Sequence, residues 1–297
     1  MQQVFLSDAG PKVSQAVYGF YRWNEVSNAP ATMERVVNLC LELGINGFDH
    51  ADIYGNYGCE EMFGNLMAQG SFRREDVVLF TKCGLRVPHS SQPDVRIKHY
   101  DSSRKHIIQS AEASLRKLRT DYIDIFLLNH LDPLSNLEET ALALEQLRNS
   151  GKIKNIGIVN FSVFQHQLLA SYLNIPIVTN HIELNLLNTT ALDNGQLDYI
   201  RQRYMRPLAS APLAGGRIAN GADILALHVQ DKLRQVSVRY NCSIESLAVA
   251  WLVKLGALPL IGTIEEQRIR HIAEAFAIKL DHQDWYELYA ASRGVPS

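Results

Sequence analysis

The sequence has few cysteines, and it lacks both a long hydrophobic run and a glycine-rich dinucleotide motif. Its four cysteines, Cys40, Cys59, Cys83 and Cys242, are far apart and form no C-x-x-C pair. Such spacing predicts free thiols in a reducing cytosol, and no Cys or His cluster has ligand spacing, so we expect no metal site. No window offers the roughly 18 uncharged apolar residues that a membrane span needs. The N-terminal segment lacks a signal peptide pattern, and we therefore expect a cytoplasmic protein.

The sequence also has little net charge. It contains 29 Lys and Arg residues against 31 Asp and Glu residues, which gives a net charge of −2. This balance predicts neither nucleic acid nor an anionic membrane as a partner. Hydrophobic residues make up 46% of the 297 residues, enough for one large core, and no Pro/Gly/Ser-rich linker interrupts the chain. We expect a single domain spanning residues 1–297, and no prediction of oligomeric state follows.

Short apolar runs alternate with longer amphipathic segments along the whole chain. Eight such strand-then-helix units predict a parallel sheet that closes into a (β/α)₈ TIM barrel. The preceding segment VFLSDAGPKVSQAV predicts an N-terminal β-hairpin that turns around residues 9–11. An open doubly wound sheet is the rival fold, but it normally shows G-x-G-x-x-G after its first strand, and that motif is absent. The eight runs are residues 16–22, 45–50, 77–84, 122–129, 152–161, 176–183, 206–217 (a strand with a Gly-rich loop) and 257–262.

Polar residues stand where several of these strands end, which is where a barrel of this type builds its active site. Asp49 ends the second strand, Tyr54 follows five residues later, and Lys82 lies at the end of the third. Lowering a tyrosine pKa by about 3 units requires about 4 kcal/mol. An ammonium about 4 Å away supplies on the order of 4 kcal/mol at an effective dielectric near 20. The trio therefore suits proton donation to a developing alkoxide during carbonyl reduction, with the hydride coming from a nicotinamide cofactor.

The motif GFDHADIYG (47–55), followed by FTKCG (80–84), resembles the aldo-keto reductases, in particular the bacterial branch that carries DHADIYG. The resemblance covers nearly the whole chain and includes SGKIKNIGIVNF, PLAGGR and the final IGT. It implies a (β/α)₈ barrel that binds NADP(H) across its C-terminal face. It also implies Tyr54 as the general acid, tuned by Lys82 and Asp49.

The fourth strand departs from the family pattern. Family members typically read D-L-x-L-I-H-x-P, with a catalytic histidine five residues after the Asp, whereas five residues after Asp124 this chain has Asn129. We therefore expect Asn129 to face the pocket and His130 to point away. The alternative is a local bulge that turns His130 inward. A shift of the whole strand by one residue would also turn it inward, but that shift would move every other side chain of the strand to the opposite face.

The expected cofactor site departs from the family as well. Val159-Asn160 replaces a Ser-Asn pair, His181 replaces a Gln, and Ser210 replaces an aromatic residue. NADP(H) is expected ahead of NAD(H), with weakened binding because Glu265 or Glu266 would repel a phosphate within a Debye length of about 8 Å. The backbone of the Gly-rich loop could cradle the pyrophosphate. The expected cofactor-binding residues are Asn160, His181, Ser210, Leu213, Gly215, Arg217, Thr263 and Arg268.

Three functional hypotheses remain open from the sequence. The first is an NAD(P)-dependent oxidoreductase that reduces a small-molecule aldehyde or ketone, with weak or atypical activity because Asn129 replaces the histidine. The second is a non-catalytic cofactor-sensing or partner-binding homologue, since the potassium-channel β subunits resemble this family and also carry Asn at that position. The third is a lyase or isomerase that forms a Schiff base on Lys82.

Overall fold

The computed structural model describes residues 1–294, and this part of the chain contains twelve β-strands. The predicted barrel is confirmed: eight parallel strands close in the order β3-β4-β5-β8-β9-β10-β11-β12. The predicted N-terminal hairpin is confirmed too, because β1 and β2 pair antiparallel. The strands are β1 (Gln3–Phe5), β2 (Lys12–Ser14), β3 (Val17–Gly19), β4 (Gly47–Asp49), β5 (Val78–Cys83), β6 (Leu85–Arg86), β7 (His99–Tyr100), β8 (Ile123–Asn129), β9 (Ile153–Val159), β10 (Ile177–Glu183), β11 (Leu208–Ser210) and β12 (Leu258–Ile261).

Helices follow the barrel strands and surround them. Several begin at a side-chain cap; Asn136, for example, accepts hydrogen bonds from the backbone N–H groups of Glu138 and Glu139. No helix within residues 1–294 combines the length and apolar character needed to cross a bilayer. The helices are α1 (Ala29–Glu42), α2 (Tyr54–Tyr57), α3 (Cys59–Ala68), α4 (Arg104–Leu118), α5 (Leu137–Asn149), α6 (Val163–Ala170), α7 (Thr190–Asp193), α8 (Gln196–Gln202), α9 (Arg217–Asn220), α10 (Ile224–Tyr240), α11 (Ile244–Lys254), α12 (Glu266–Glu274) and α13 (His282–Ser292).

The barrel interior is a separate apolar cluster. Alternate residues of the strands point inward, so Ile125 and Leu127 of β8 pack against Phe80 of β5. Leu6 and Val13 of the N-terminal hairpin belong to the same cluster, and the hairpin therefore closes the floor of the barrel. The intervening strand residues pack outward against the helices. The buried Asp49 and Lys82 lie at the opposite, C-terminal end of the barrel.

A bulge in β10 changes which of its residues face the interior. Ile177 pairs with Ile156 and Asn180 pairs with Ile158, so β10 uses one more residue than β9 over this step. Simple alternation from the inward Val178 would turn residue 181 outward. The extra residue instead aligns His181 with the inward-facing Val159. His181 consequently enters the barrel at the level where the polar residues collect.

Candidate active site

Asp49 and Lys82 meet inside the barrel at its C-terminal end. Neighbouring strands β4 and β5 align Asp49 with Phe80, so Lys82 stands two residues further along the same inward face. Its Nζ donates to Asp49 Oδ2 at 2.6 Å and to the His50 carbonyl at 2.7 Å. Asp49 is 0% and Lys82 is 2% exposed. The structure therefore brings together these two residues of the predicted site.

Tyr54 completes the series because Lys82 Nζ also donates to its hydroxyl, at 3.1 Å. Tyr54 is held by a tight turn in which Gly55 and Asn56 have φ values of 58° and 55°. Glycine is required at the first of these positions, since a Cβ on Gly55 would lie 2.4 Å from Cys59 Sγ. The exposed ring of Tyr21 packs edge-on against Tyr54, with 5.6 Å between centroids.

Burial and charge act in opposite directions on this series. Burial raises the pKa of the Tyr54 hydroxyl, and the Lys82 ammonium lowers it by a smaller amount. Tyr54 therefore keeps its proton at neutral pH. Burial opposes the charge on Lys82, but Asp49 and Tyr54 together raise the Lys82 pKa overall. The amine is therefore held as an ammonium.

His181 lies beside the ion pair rather than apart from it. Its Nδ1 is 3.9 Å from Asp49 Oδ1, and its ring centroid is 6.1 Å from that of Phe80. Burial and the nearby Lys82 lower the His181 pKa well below its usual value, so the imidazole is neutral. Its Nε2 is buried and has no hydrogen-bond partner among the described residues. Such a nitrogen is available to a bound ligand.

Asn129 and Asn160 are joined by His130. Asn129 is 8% exposed and shares the inward parity of Ile125 and Leu127, as expected from the sequence. The expectation that His130 points away from this region is wrong. Its Nδ1 lies 3.0 Å from Asn129 Oδ1, and its Nε2 lies 3.2 Å from Asn160 Nδ2. Neither Asn129 nor Asn160 forms a hydrogen bond with Tyr54, so with His130 they make a second polar group, separate from the series of Asp49, Lys82 and Tyr54.

The Gly-rich loop after β11 has an open, curled backbone. Ser210 is the last residue of β11, and Leu213 after it is half-buried. Gly215 and Gly216 follow, with φ values of 67° and 97°. A Cβ on Gly216 would meet nothing within 4 Å. The guanidinium of Arg217, which follows these glycines, pairs with the exposed Asp223 at 2.7 Å.

Arg22 lies beside this loop, and no role was predicted for it from the sequence. Its Nη2 lies 3.5 Å from the position of a Cβ on Gly215. No carboxylate of residues 1–294 forms an ion pair with it. The available signal was its position just after β3, where the residues of a barrel's first loop reach the C-terminal face.

Thr263 and Arg268 lie after β12 and are both engaged within the protein. Thr263 Oγ1 accepts from the Glu265 N–H at 3.2 Å, and the Thr263 carbonyl accepts from the Tyr18 hydroxyl. Arg268 donates to Glu245 of α11 and lies 3.9 Å from Glu265. Across the described ranges, no group of three or more His, Cys, Asp or Glu side chains is arranged to hold a metal ion.

Comparison with known proteins gives consistent matches over the full chain. A 6-dehydroglucose reductase of Agrobacterium fabrum is 36% identical, with 99% of each chain covered. The oxidoreductase YdhF of Escherichia coli is 34% identical and covers 99% of this chain and 98% of its own. The solved structure of the thermostable aldo-keto reductase Tm1743 shares the fold, with a TM-score of 0.85, 22% identity, and 98% of this chain and 100% of that chain covered. The model of the aldo/keto reductase family matches residues 16–293, and this chain therefore belongs to that family of oxidoreductase enzymes.

Proposed function

We propose that this enzyme reduces an aldehyde or ketone of a small molecule with NAD(P)H, and that Tyr54 donates the proton. The series Asp49–Lys82–Tyr54, with contacts of 2.6 Å and 3.1 Å, is the observation that carries this proposal. It stands at the end of the barrel where enzymes of this architecture place their chemistry. Asp49, Tyr54, Lys82 and Asn129 are the proposed catalytic residues, within a single domain.

The chemistry follows from the protonation states. A bound reduced nicotinamide supplies the hydride. Tyr54 holds a proton that it can pass to the carbonyl oxygen as negative charge develops there. Lys82 stabilises the resulting phenolate, and Asp49 keeps Lys82 charged and oriented. The raised pKa of Lys82 also disfavours the Schiff-base hypothesis, which requires a neutral amine.

Asn129 stands where the family pattern has a histidine, and this difference determines the turnover rate that we expect. Its amide can donate one hydrogen bond to the substrate oxygen, but it cannot gain or lose a proton near neutral pH. Loss of a comparable donor costs on the order of a hundredfold in other enzymes. We therefore expect turnover that is weak, or that is confined to a particular substrate.

The residues present fit a dinucleotide. The curled backbone at Gly215 and Gly216 leaves room that side chains would fill, and the unpaired Arg22 beside it suits a diphosphate. Asn160 and the unpartnered Nε2 of His181 are the groups we propose for the nicotinamide carboxamide. The other proposed cofactor contacts come from Ser210, Leu213 and Arg217.

The residues expected near the 2′-phosphate of NADP(H) predict only a small difference in affinity between NADP(H) and NAD(H). Thr263 and Arg268 are the groups that we propose for that phosphate, and for this reason we expect NADP(H) ahead of NAD(H). Arg268, however, already pairs with Glu245, and Glu265 lies beside it. A phosphate would have to compete with these carboxylates, so we expect less than about tenfold preference, or about 1.4 kcal/mol.

Titration of the pure protein with NADPH and with NADH, followed by quenching of protein fluorescence, tests cofactor binding. Loss of absorbance of the reduced cofactor is then measured with a panel of aldehydes, ketones and quinones. The panel includes 6-dehydroglucose because one relative carries that substrate in its name. Tyr54→Phe removes only the hydroxyl and should abolish turnover while leaving cofactor affinity within about threefold.

Each result separates the hypotheses. Absence of binding below millimolar concentration would refute the proposed reductase. Binding without turnover on any substrate supports a cofactor-sensing homologue instead. Turnover that survives Tyr54→Phe would show that another group supplies the proton.

A further inference from the structure

His130, a residue without a role in the proposed chemistry, connects two residues that have one. It follows the last residue of β8, and its imidazole lies between the side chains of Asn129 and Asn160. Tyr100 of β7 stacks against the ring, with 5.2 Å between centroids and 28° between planes. Contacts from three separate segments therefore fix this ring.

The backbone of His130 explains how its ring reaches Asn129. In an extended strand, successive side chains point to opposite faces, so residue 130 would face away from residue 129. His130 instead has a φ of 68°, a left-handed conformation that few residues other than glycine adopt. Its N–H still donates to the Val159 carbonyl at 3.2 Å, which anchors the turn to β9. The ring consequently folds back beside Asn129.

The order of donors and acceptors in the hydrogen-bonded series Asn160–His130–Asn129 assigns each proton. The Asn160 side-chain nitrogen only donates, so Nε2 of His130 accepts from it. The proton of the neutral imidazole then resides on Nδ1, which donates to Asn129 Oδ1. Burial lowers the pKa of His130, in agreement with a neutral ring. With its side-chain oxygen Oδ1 held by His130, Asn129 has its NH₂ group free to donate to another partner.

We propose that His130 is a positioning residue, which holds the Asn129 amide so that its N–H groups face the substrate carbonyl oxygen. The inference rests on the proposed carbonyl reduction and identifies how an amide can serve at this site. Without His130, the Asn129 amide could rotate by 180° and place its own oxygen against the substrate oxygen. That orientation repels the charge that develops during reduction.

Two substitutions in the full-length enzyme test the proposal. His130→Leu removes both ring nitrogens, and we expect kcat to fall at least about tenfold, with the KM and the dissociation constant for reduced cofactor within about threefold of wild type. His130→Asn is the matched control, because its amide nitrogen replaces Nδ1 and Asn tolerates a left-handed φ. It should retain kcat within about threefold. Thermal unfolding of both variants verifies that they fold.

A double-mutant cycle distinguishes positioning from a structural role. If His130 acts through Asn129, then His130→Leu should lower kcat by less than about twofold in an Asn129→Ala background. The same fold-loss in both backgrounds would overturn the proposal, as would a His130→Leu variant with wild-type kcat. If Tyr54→Phe keeps its turnover, the proposed function fails; if Tyr54→Phe is inactive but His130→Leu is not, only the role of His130 fails.

The tautomer gives a readout that is independent of activity. In the protein labelled with ¹⁵N-histidine, the signals lost in His130→Leu identify His130. They should show a protonated Nδ1 and an unprotonated Nε2. The opposite tautomer, or a doubly protonated ring at pH 7.5, would overturn the assignment even if the enzyme turned over no substrate of the panel.

Discussion

The buried ion pair of Lys82 and Asp49 allows a quantitative test of the site. Asp49 is 0% exposed, and its Oδ1 has no hydrogen-bond partner within the described part of the chain. Lys82→Met keeps an unbranched side chain but removes the ammonium, which leaves the Asp49 carboxylate buried without compensation. Removing one partner of a buried pair costs about 3–5 kcal/mol. We expect the free energy of unfolding at pH 8 to fall by that amount.

The pH dependence of this loss has a definite sign. Burial raises the folded-state pKa of Asp49 above its unfolded value of 3.8 even beside Lys82, and loss of Lys82 removes the charge and the hydrogen bond that lower it. The penalty is therefore absent below pH 3.8, grows as the pH rises, and is complete above the raised pKa. Adding Asp49→Asn to Lys82→Met removes the charge, so the double variant should recover about 2–4 kcal/mol at pH 8 and less at pH 5.

Urea unfolding followed by circular dichroism at pH 8 and pH 5 measures these differences. Lys152→Met is the matched surface control: Lys152 pairs with Glu112, but the two side chains are 39% and 38% exposed, so its loss should lower the stability far less than the loss of Lys82. Both Lys82 variants should lose turnover by on the order of a hundredfold or more. Equal stability of the single and double variants at pH 8 would refute the buried-charge argument.

Two further predictions concern groups outside the proposed chemistry. Burial, with a smaller effect from Glu60, raises the pKa of Asp52 to about 7 from 3.8. Asp52→Asn should therefore stabilise the protein by up to about 4 kcal/mol at pH 8 and by less than half of that at pH 5 in urea unfolding; a larger gain at pH 5 would contradict this. A Cβ on Gly64 of α3 would lie 2.1 Å from the Lys117 carbonyl of α4. Gly64→Ala should thus cost about 3 kcal/mol or more in thermal unfolding, and a loss below 1 kcal/mol would show that the helices separate easily.

The barrel was predictable because its signal is repeated. Apolar runs and amphipathic segments alternate eight times, so an error in one unit does not change the architecture. The N-terminal hairpin was predictable from its turn residues. The small hairpin of β6 and β7 was not predicted, since each strand has two residues and pairs across a twelve-residue loop. The bulge in β10 also leaves no local pattern, because the register with β9 and β11 determines it.

The site was predictable where strand ends alone decide it. Asp49 and Lys82 meet because adjacent parallel strands finish side by side. The position of His130 was not predictable, because its left-handed backbone is stabilised by Asn129, Tyr100 and Asn160, which come from different strands or follow them. Whether Arg268 is free to bind a phosphate was equally hard to predict from the sequence. Its partner Glu245 is 23 positions away on another helix, so counting charges near Arg268 in the sequence does not show whether it is available.

The charge that acts on Tyr54 comes from one ion pair, that of Lys82 and Asp49. His50, His130 and His181 all lie near the strand ends, and burial lowers the pKa of each, to about 3 for His50. These imidazoles are therefore neutral at physiological pH and add no net charge to the pocket. Lys82, which donates to the Tyr54 hydroxyl, is thus the cation that we propose to stabilise a Tyr54 phenolate. The amide of Asn129, which we propose to orient the carbonyl oxygen, cannot change its charge with pH. A site built this way depends on exact placement of the substrate oxygen between Tyr54 and Asn129, which is why we expect a narrow substrate range.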